Sequence, residues 1–285
     1  MPVLESCDPL DARQFLIAVK QLADDLSYGT DKSPFLGSGV EYVQSRAYEP
    51  GDPIKAIDWR VTARTGKFHV KEYEAPKRMP VYLMVDTSAS MAVGSTTLTK
   101  YAWAVQIAGG IALAAIERVS PVGVVGVGGR DLVVKPSLAR DRVLQWLHQL
   151  RHYRTDEPPF LGKRLAELVP SLHSRAMIVV LSDFHDPEAA RALKLAAQKH
   201  DCVALHLFDP AEAGLPGAGF VRAREAETGT SAVVRASTSF ADPDALHADL
   251  KRSGIDHLFL PTDQAMAHKL RHFFASRGLL GRGAR

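Results

Sequence analysis

The sequence predicts an open, doubly wound α/β sheet, mostly parallel, with one antiparallel strand at an edge. Three observations carry that expectation. The runs "VYLMVD" (81–86), "AMIVVLSD" (176–183), "VALHLFD" (203–209) and "DHLFLPT" (256–262) are continuously apolar, not alternating. Strands read that way when helices cover both faces of their sheet. Helical spacing recurs between most of them, at 98–118, 140–151, 163–173, 187–200, 243–253 and 263–277. Two further strand candidates, "GVVGV" (123–127) and "LVVKP" (132–136), are joined through the Gly-rich "GVGGRD", a hairpin turn that makes this pair antiparallel.

Ahead of the sheet, residues 9–27 place Phe15, Leu16, Val19, Leu22 and Leu26 on one side at helical spacing. "GTDKSPFLGSGVE" (29–41) then breaks regularity with Gly, Pro and Ser. From Val40 to Glu74 the chain reads as extended and turn-rich, with turns at "EPGDP" and "RTGK" and an alternating strand in "KFHVKEY". The expected division is a small N-terminal part over residues 1–78, helix plus extended segment, followed by the sheet domain over 79–285. "GFVRAREAETGTSAVVRAS" (219–237) reads as a hairpin decorating the fifth strand. Gly109 and Gly110, inside an otherwise good helix, cost stability there and point to close packing on the sheet.

Composition narrows the function classes. A net charge of +3 with scattered basic residues offers no concentrated face for nucleic acid. The basic end "RGLLGRGAR" reads as a solvated terminus. Cys7 and Cys202 lack any C-x-x-C spacing, so neither a disulfide framework nor a cysteine zinc site is indicated. The start has no basic stretch followed by an apolar one, as a signal peptide would. The most apolar stretch, "AWAVQIAGGIALAAI", is shorter than a membrane span. The expectation is a soluble, cytoplasmic protein in a reducing compartment.

In doubly wound sheets, ligands sit at the carboxyl ends of the strands, where strand order reverses. Asp86, Ser88 and Ser90 follow the first strand of the sheet, and Asp183 follows "AMIVVLS". If those strands are neighbours, two carboxylates and two hydroxyls converge, and the carboxylates need a partner. A hard divalent cation, magnesium or manganese or calcium in its place, supplies one. Serine hydroxyls are weak donors, so an ion held largely by them stays electron-poor and accepts a carboxylate from outside.

The D-x-S-x-S spacing resembles the metal-ion-dependent adhesion site of von Willebrand factor A domains. The resemblance implies metal ligands at Asp86, Ser88, Ser90 and Asp183, with the family's threonine falling at Thr155 in "RHYRTDEPPF". Pro158 and Pro159 follow that threonine, where the family has a Gly-rich helix start. A second block, "RAYEPGDPIKAIDWRVTARTGKFHVKEYE" (46–74), is similar to the signature of the family catalogued as domain of unknown function fifty-eight. It fits at Tyr48, Gly51, Asp52, Ile57, Asp58, Trp59, Ala63, Arg64, Gly66, Val70, Glu72 and Glu74, and departs at Lys55, where arginine is common. In that family the block precedes a von Willebrand-like domain, as here. The implied function is a non-catalytic, metal-dependent protein-interaction module, whose partner supplies an Asp or Glu. The implied partner class is a MoxR-type AAA+ ATPase, in systems for maturation or assembly of other proteins.

A rival reading is a magnesium-dependent phosphoryl-transfer enzyme of haloacid-dehalogenase type, but that chemistry needs D-x-D, and Ser88 stands at the second acid. No G-x-S-x-G elbow or phosphate loop is present. Within the signature block, the sequence favours structural roles: Trp59 filling a core, and Asp58 or Arg64 pairing internally. The pairs His148 with His152 and His268 with His272 read as solvated helix faces, since no third metal ligand is evident.

Overall fold

The computed structural model describes residues 11–27, 41–52, 54–74, 79–214, 220–224, 231–235 and 243–279. Cys7, the Gly/Pro/Ser break at 29–40, the turn of the 219–237 hairpin and the last residues of the basic end lie outside these. The helices are α1 (Ala12–Ser27), α2 (Trp59–Thr65), α3 (Lys100–Glu117), α4 (Arg140–Arg151), α5 (Leu161–Ser171), α6 (Ala189–Ala196), α7 (Pro243–Arg252) and α8 (Met266–Leu279). The strands are β1 (Glu41–Ala47), β2 (His69–Glu74), β3 (Val81–Val85), β4 (Val122–Gly126), β5 (Val133–Ser137), β6 (Met177–Ser182), β7 (Asp201–Phe208), β8 (Phe220–Arg224), β9 (Ser231–Arg235) and β10 (Asp256–Pro261).

Six strands form the main sheet in the order β10-β7-β6-β3-β4-β5, all parallel except β5, which runs antiparallel to β4 at the edge. This is the doubly wound class expected from the continuous apolar runs, and it is consistent with a von Willebrand factor A-like fold. Residues of each central strand alternate between two cores. Leu83 and Val85 of β3, with Val179 and Leu181 of β6, pack under α1, α3, α4 and α8. Met84, Ile178 and Val180 pack on the opposite face, under α5, α6 and α7. Helix α1 lays Phe15, Val19, Leu22 and Leu26 into the first of these cores, against α3.

That packing corrects the reading of the glycine pair. A Cβ on Gly109 would stand 2.8 Å from Val19 and 3.0 Å from Leu147, and one on Gly110 would stand 2.7 Å from Leu22. The close approach is to α1, with a side chain of α4, and not to the sheet.

β1 and β2 form a two-stranded antiparallel ribbon, and β8 and β9 pair antiparallel in a second one, as a hairpin there requires. Helix α2 interrupts what the sequence reading left as extended chain. Asp58 caps it, accepting from the amides of Arg60 and Val61 at 3.1 Å each, while Gly66 closes it in the left-handed region at φ 69. The Asp58 carboxylate also accepts from Ser45 Oγ at 2.7 Å, so the internal role expected for this acid holds. Trp59 does not fill a core: it is 64% exposed and meets Phe68 edge-on at 6.5 Å. It is the first residue of a capped two-turn helix, and Ile57 and Val70 are buried in its place.

Candidate metal centre at the strand ends

β3 and β6 are parallel neighbours, with Val85 opposite Leu181, so the residues that follow them meet at one rim of the sheet. Strand order reverses there: β4 lies to one side of β3 and β6 to the other. The Asp86 amide donates to Leu181 O at 2.9 Å and fixes the two strand ends in register. Asp86 is 1% exposed. Its Oδ1 accepts from the Ser88 amide at 3.0 Å and its Oδ2 from Ser182 Oγ at 2.5 Å. Ser88 and Ser90 turn their hydroxyls toward each other, Oγ to Oγ 3.0 Å. An octahedron with magnesium–oxygen bonds of about 2.1 Å has edges of about 2.9 Å, so two hydroxyls so spaced match one edge of such a shell.

Asp183 follows β6, also buried. Its Oδ2 accepts from Lys100 Nζ at 2.7 Å and faces His185 Nδ1 at 3.2 Å. Lys100 is fully buried and also pairs with Glu212. It is the first residue of α3, just after the Thr99 cap, where the helix dipole disfavours a cation. Two carboxylates overcome that penalty. Glu212 is itself fixed by a capping box with Asp209. Phe184, between Asp183 and His185, has a φ of 58, a left-handed conformation that costs an aromatic residue roughly 1–2 kcal/mol.

The electrostatics separate the two acids. Burial, reinforced by Asp183 nearby, pushes the Asp86 carboxyl up to about 6. Burial opposes ionisation of Asp183 too, but His185 and Lys100 outweigh it and hold that carboxyl below the usual range. Lys100 is likewise desolvated, yet Asp183 and Glu212 keep it charged. The bond to Asp183 raises His185. Asp183 therefore has its counter-charge within the protein, whereas no cation among the described residues pairs with Asp86.

The loop before α5 completes the rim. Glu157 reaches the Ser88 turn: the two residues bridge as parallel chain, and the Ala89 amide donates to Glu157 O at 2.9 Å. Thr155 is half-buried two residues earlier. The Glu157 carboxylate is buried and accepts from the Arg130 amide. A Cβ on Gly128 would stand 2.4 Å from Thr87 Oγ1 and 2.7 Å from the Glu157 carboxyl carbon, so only glycine fits between them. Thr87 Oγ1 and Glu157 Oε1 are both buried without a hydrogen bond.

A hard cation fits this donor set. A buried carboxylate with no cation partner among the described residues, two hydroxyls at octahedral spacing and the unpaired Thr87 Oγ1 in the same turn are oxygen donors of the kind such an ion takes. A second group, Asp183, His185 and Glu212, brings its ligand atoms within 4.8 Å of one another and is able to hold a metal ion. Lys100 already occupies the space between two of its carboxylates, so an ion there competes with a buried ammonium. The sequence reading found Asp86, Ser88, Ser90 and Asp183 but not Lys100, Ser182, His185, Glu157 or Glu212. Lys100 did leave a signal, as a lone cation opening an apolar helix. Glu212 left another, in the "DPAE" capping box.

Among the described residues, no helix is long and apolar enough to cross a membrane. Relatives are uncharacterised proteins: Mb1516 of Mycobacterium bovis and Rv1480 of Mycobacterium tuberculosis are each 31% identical over 255 residues, spanning 86% of this chain and 77% of theirs. Among solved structures, a conserved hypothetical protein, BatB, from Bacteroides thetaiotaomicron aligns with a TM-score of 0.47 at 16% identity, over 70% of this chain and 98% of that one. An aerotolerance-related membrane protein from Bacteroides fragilis aligns with a TM-score of 0.49 at 15% identity, over 70% and 99%. Residues 44–248, which hold both the signature block and the strand-end site, match the family described as protein of unknown function DUF58, and the chain belongs to that family.

Proposed function

We propose that the chain is a non-catalytic protein-interaction module, whose partner binds through a hard divalent cation, magnesium or manganese or calcium in its place. Asp86, Ser88 and Ser90 hold the ion, Thr155 supplies a further hydroxyl from its loop, and Asp183 acts from the neighbouring strand end. The open position takes an Asp or Glu of the partner. One observation carries the reading: Asp86 is a buried carboxylate that feels the charge of another carboxylate, Asp183, and two serine hydroxyls stand beside it at the spacing of a coordination edge. Burying an unpaired charge is costly enough that a bound cation is its natural complement. The resemblance to DUF58 proteins supports a MoxR-type AAA+ ATPase as the partner, in maturation or assembly of other proteins.

A capture experiment with magnesium and with chelator tests this. Asp86→Ala is expected to abolish magnesium-dependent capture of the ATPase while circular dichroism stays unchanged. Chelator-insensitive capture contradicts the reading. Phosphatase turnover by the purified chain, lost in the same variant, replaces the module with an enzyme.

A further inference from the structure

Helix α2 and the chain on either side of it carry apolar side chains that the fold leaves uncovered. Ile54 is 71% exposed, Trp59 64% and Phe68 57%, and Tyr48 is exposed as well. Phe68 joins the rings: it meets Tyr48 at 6.4 Å and Trp59 at 6.5 Å, both edge-on. The segment has its own small core in the buried Ile57 and Val70, which bridge to each other, and the rings stay outside it.

Each of the three most exposed apolar residues has an exposed cation next to it in sequence. Lys55 follows Ile54, Arg60 follows Trp59, and Lys67 precedes Phe68. Arg64 lies one turn beyond Arg60 on α2 and is exposed too. Among the described residues, none of these four cations is in an ion pair. The acids of the same stretch are engaged internally. Asp52 holds Arg46 through two bonds, of 2.7 and 2.8 Å, and Asp58 is buried as the cap of α2. Glu49 is the one exposed acid among residues 45–71.

We propose that this patch is a peripheral anchor for an anionic membrane surface. Ile54, Trp59 and Phe68 enter the headgroup boundary, while Lys55, Arg60, Arg64 and Lys67 meet lipid phosphates. Tryptophan and tyrosine favour that boundary, and apolar tips flanked by cations bind it by burial and charge together. Two other occupants fit less well. Single-stranded nucleic acid stacks its bases on ring faces, whereas these rings cross at 65° and 82° and cover one another's faces with edges. Ile54 offers no stacking surface at all. Protein interfaces are depleted in lysine, and two of the four cations here are lysines.

The test is co-sedimentation of the full chain with vesicles, in chelator so that no metal bridges carboxylates to lipid. Vesicles of phosphatidylglycerol and phosphatidylcholine in equal parts are expected to carry the chain down, and pure phosphatidylcholine far less. Of the three tryptophans Trp59 is the exposed one, Trp103 being half-buried and Trp146 buried, so its emission reports the contact. A blue shift and shielding from acrylamide are expected on the anionic vesicles, and neither in Trp59→Phe. The Trp59→Ala/Phe68→Ala variant is expected to bind about tenfold more weakly or worse. Arg60→Gln/Arg64→Gln is expected to lose about fivefold per cation removed. These side chains are exposed, so circular dichroism should match the wild type, and Asp86→Ala should bind vesicles unimpaired. No binding to anionic vesicles, equal binding to neutral ones, or unchanged affinity in either double variant overturns the proposal. Capture by single-stranded RNA that the same variants weaken, without vesicle binding, reassigns the patch and overturns it too. Each of these results leaves the strand-end reading to its own test.

Discussion

Asp86 and Lys100 show how two buried charges in one small region have opposite consequences. Asp86 repels Asp183 and pairs with no cation among the described residues, so removing its charge relieves strain in the metal-free protein. Lys100 stands between Asp183 and Glu212, so removing it strands two carboxylates. Thermal unfolding without metal is therefore expected to show Asp86→Asn more stable than the wild type, on the order of 1 kcal/mol, and unresponsive to added magnesium. Lys100→Met is expected to be less stable by about 3–5 kcal/mol. Equal effects of one sign would contradict the assignment of charges. That Asp86, Ser88, Ser90 and Asp183 gather at the ends of neighbouring strands was legible because two continuous apolar runs end at those residues. Lys100 and Glu212 were harder to see: each is far in sequence from the acid it serves, and only the topology brings α3 and the turn after β7 to the β6 rim.

The elements were more legible than their partners. Continuous apolar runs gave four of the five parallel strands of the main sheet, because burial on both faces writes itself into composition, and the Gly-rich hairpin gave β4 with its antiparallel edge partner β5. Helix α2 was missed although "DWRVTARTG" carries an Asp cap and a closing Gly, since its length is only two turns and its apolar residues show no helical stripe. The glycine pair was read as sheet contact because sequence fixes that a helix is approached closely and not by what. Here the neighbour is α1, whose Leu22 fills the space a Cβ would take. Gly110→Ala should gain about 1 kcal/mol of helix propensity but lose about 1–3 kcal/mol to overpacking, a net destabilisation. Shortening Leu22 to Ala in the same chain should recover part of that loss, and a double-mutant cycle in denaturant measures the coupling. Independent, additive effects would mean that α1 does not pack on α3 as described.

At the scale of the whole molecule, the topology decides where chemistry can be. Reversal of strand order at β3 brings three separate segments to one rim: the turn after β3, the end of β6 and the loop before α5. β10 lies at the opposite edge from β5, and the Phe184 ring stands 5.5 Å from His206 and 6.5 Å from His257. The left-handed backbone at Phe184 thus serves both the placing of Asp183 and the packing of the buried histidines. The most direct measurement is diffraction from crystals of the full chain grown with manganese, recorded at its absorption edge. An anomalous peak within coordination distance of Asp86, Ser88 and Ser90 is the predicted result. No peak among those oxygens, in crystals where the side chains are well ordered, would contradict the account.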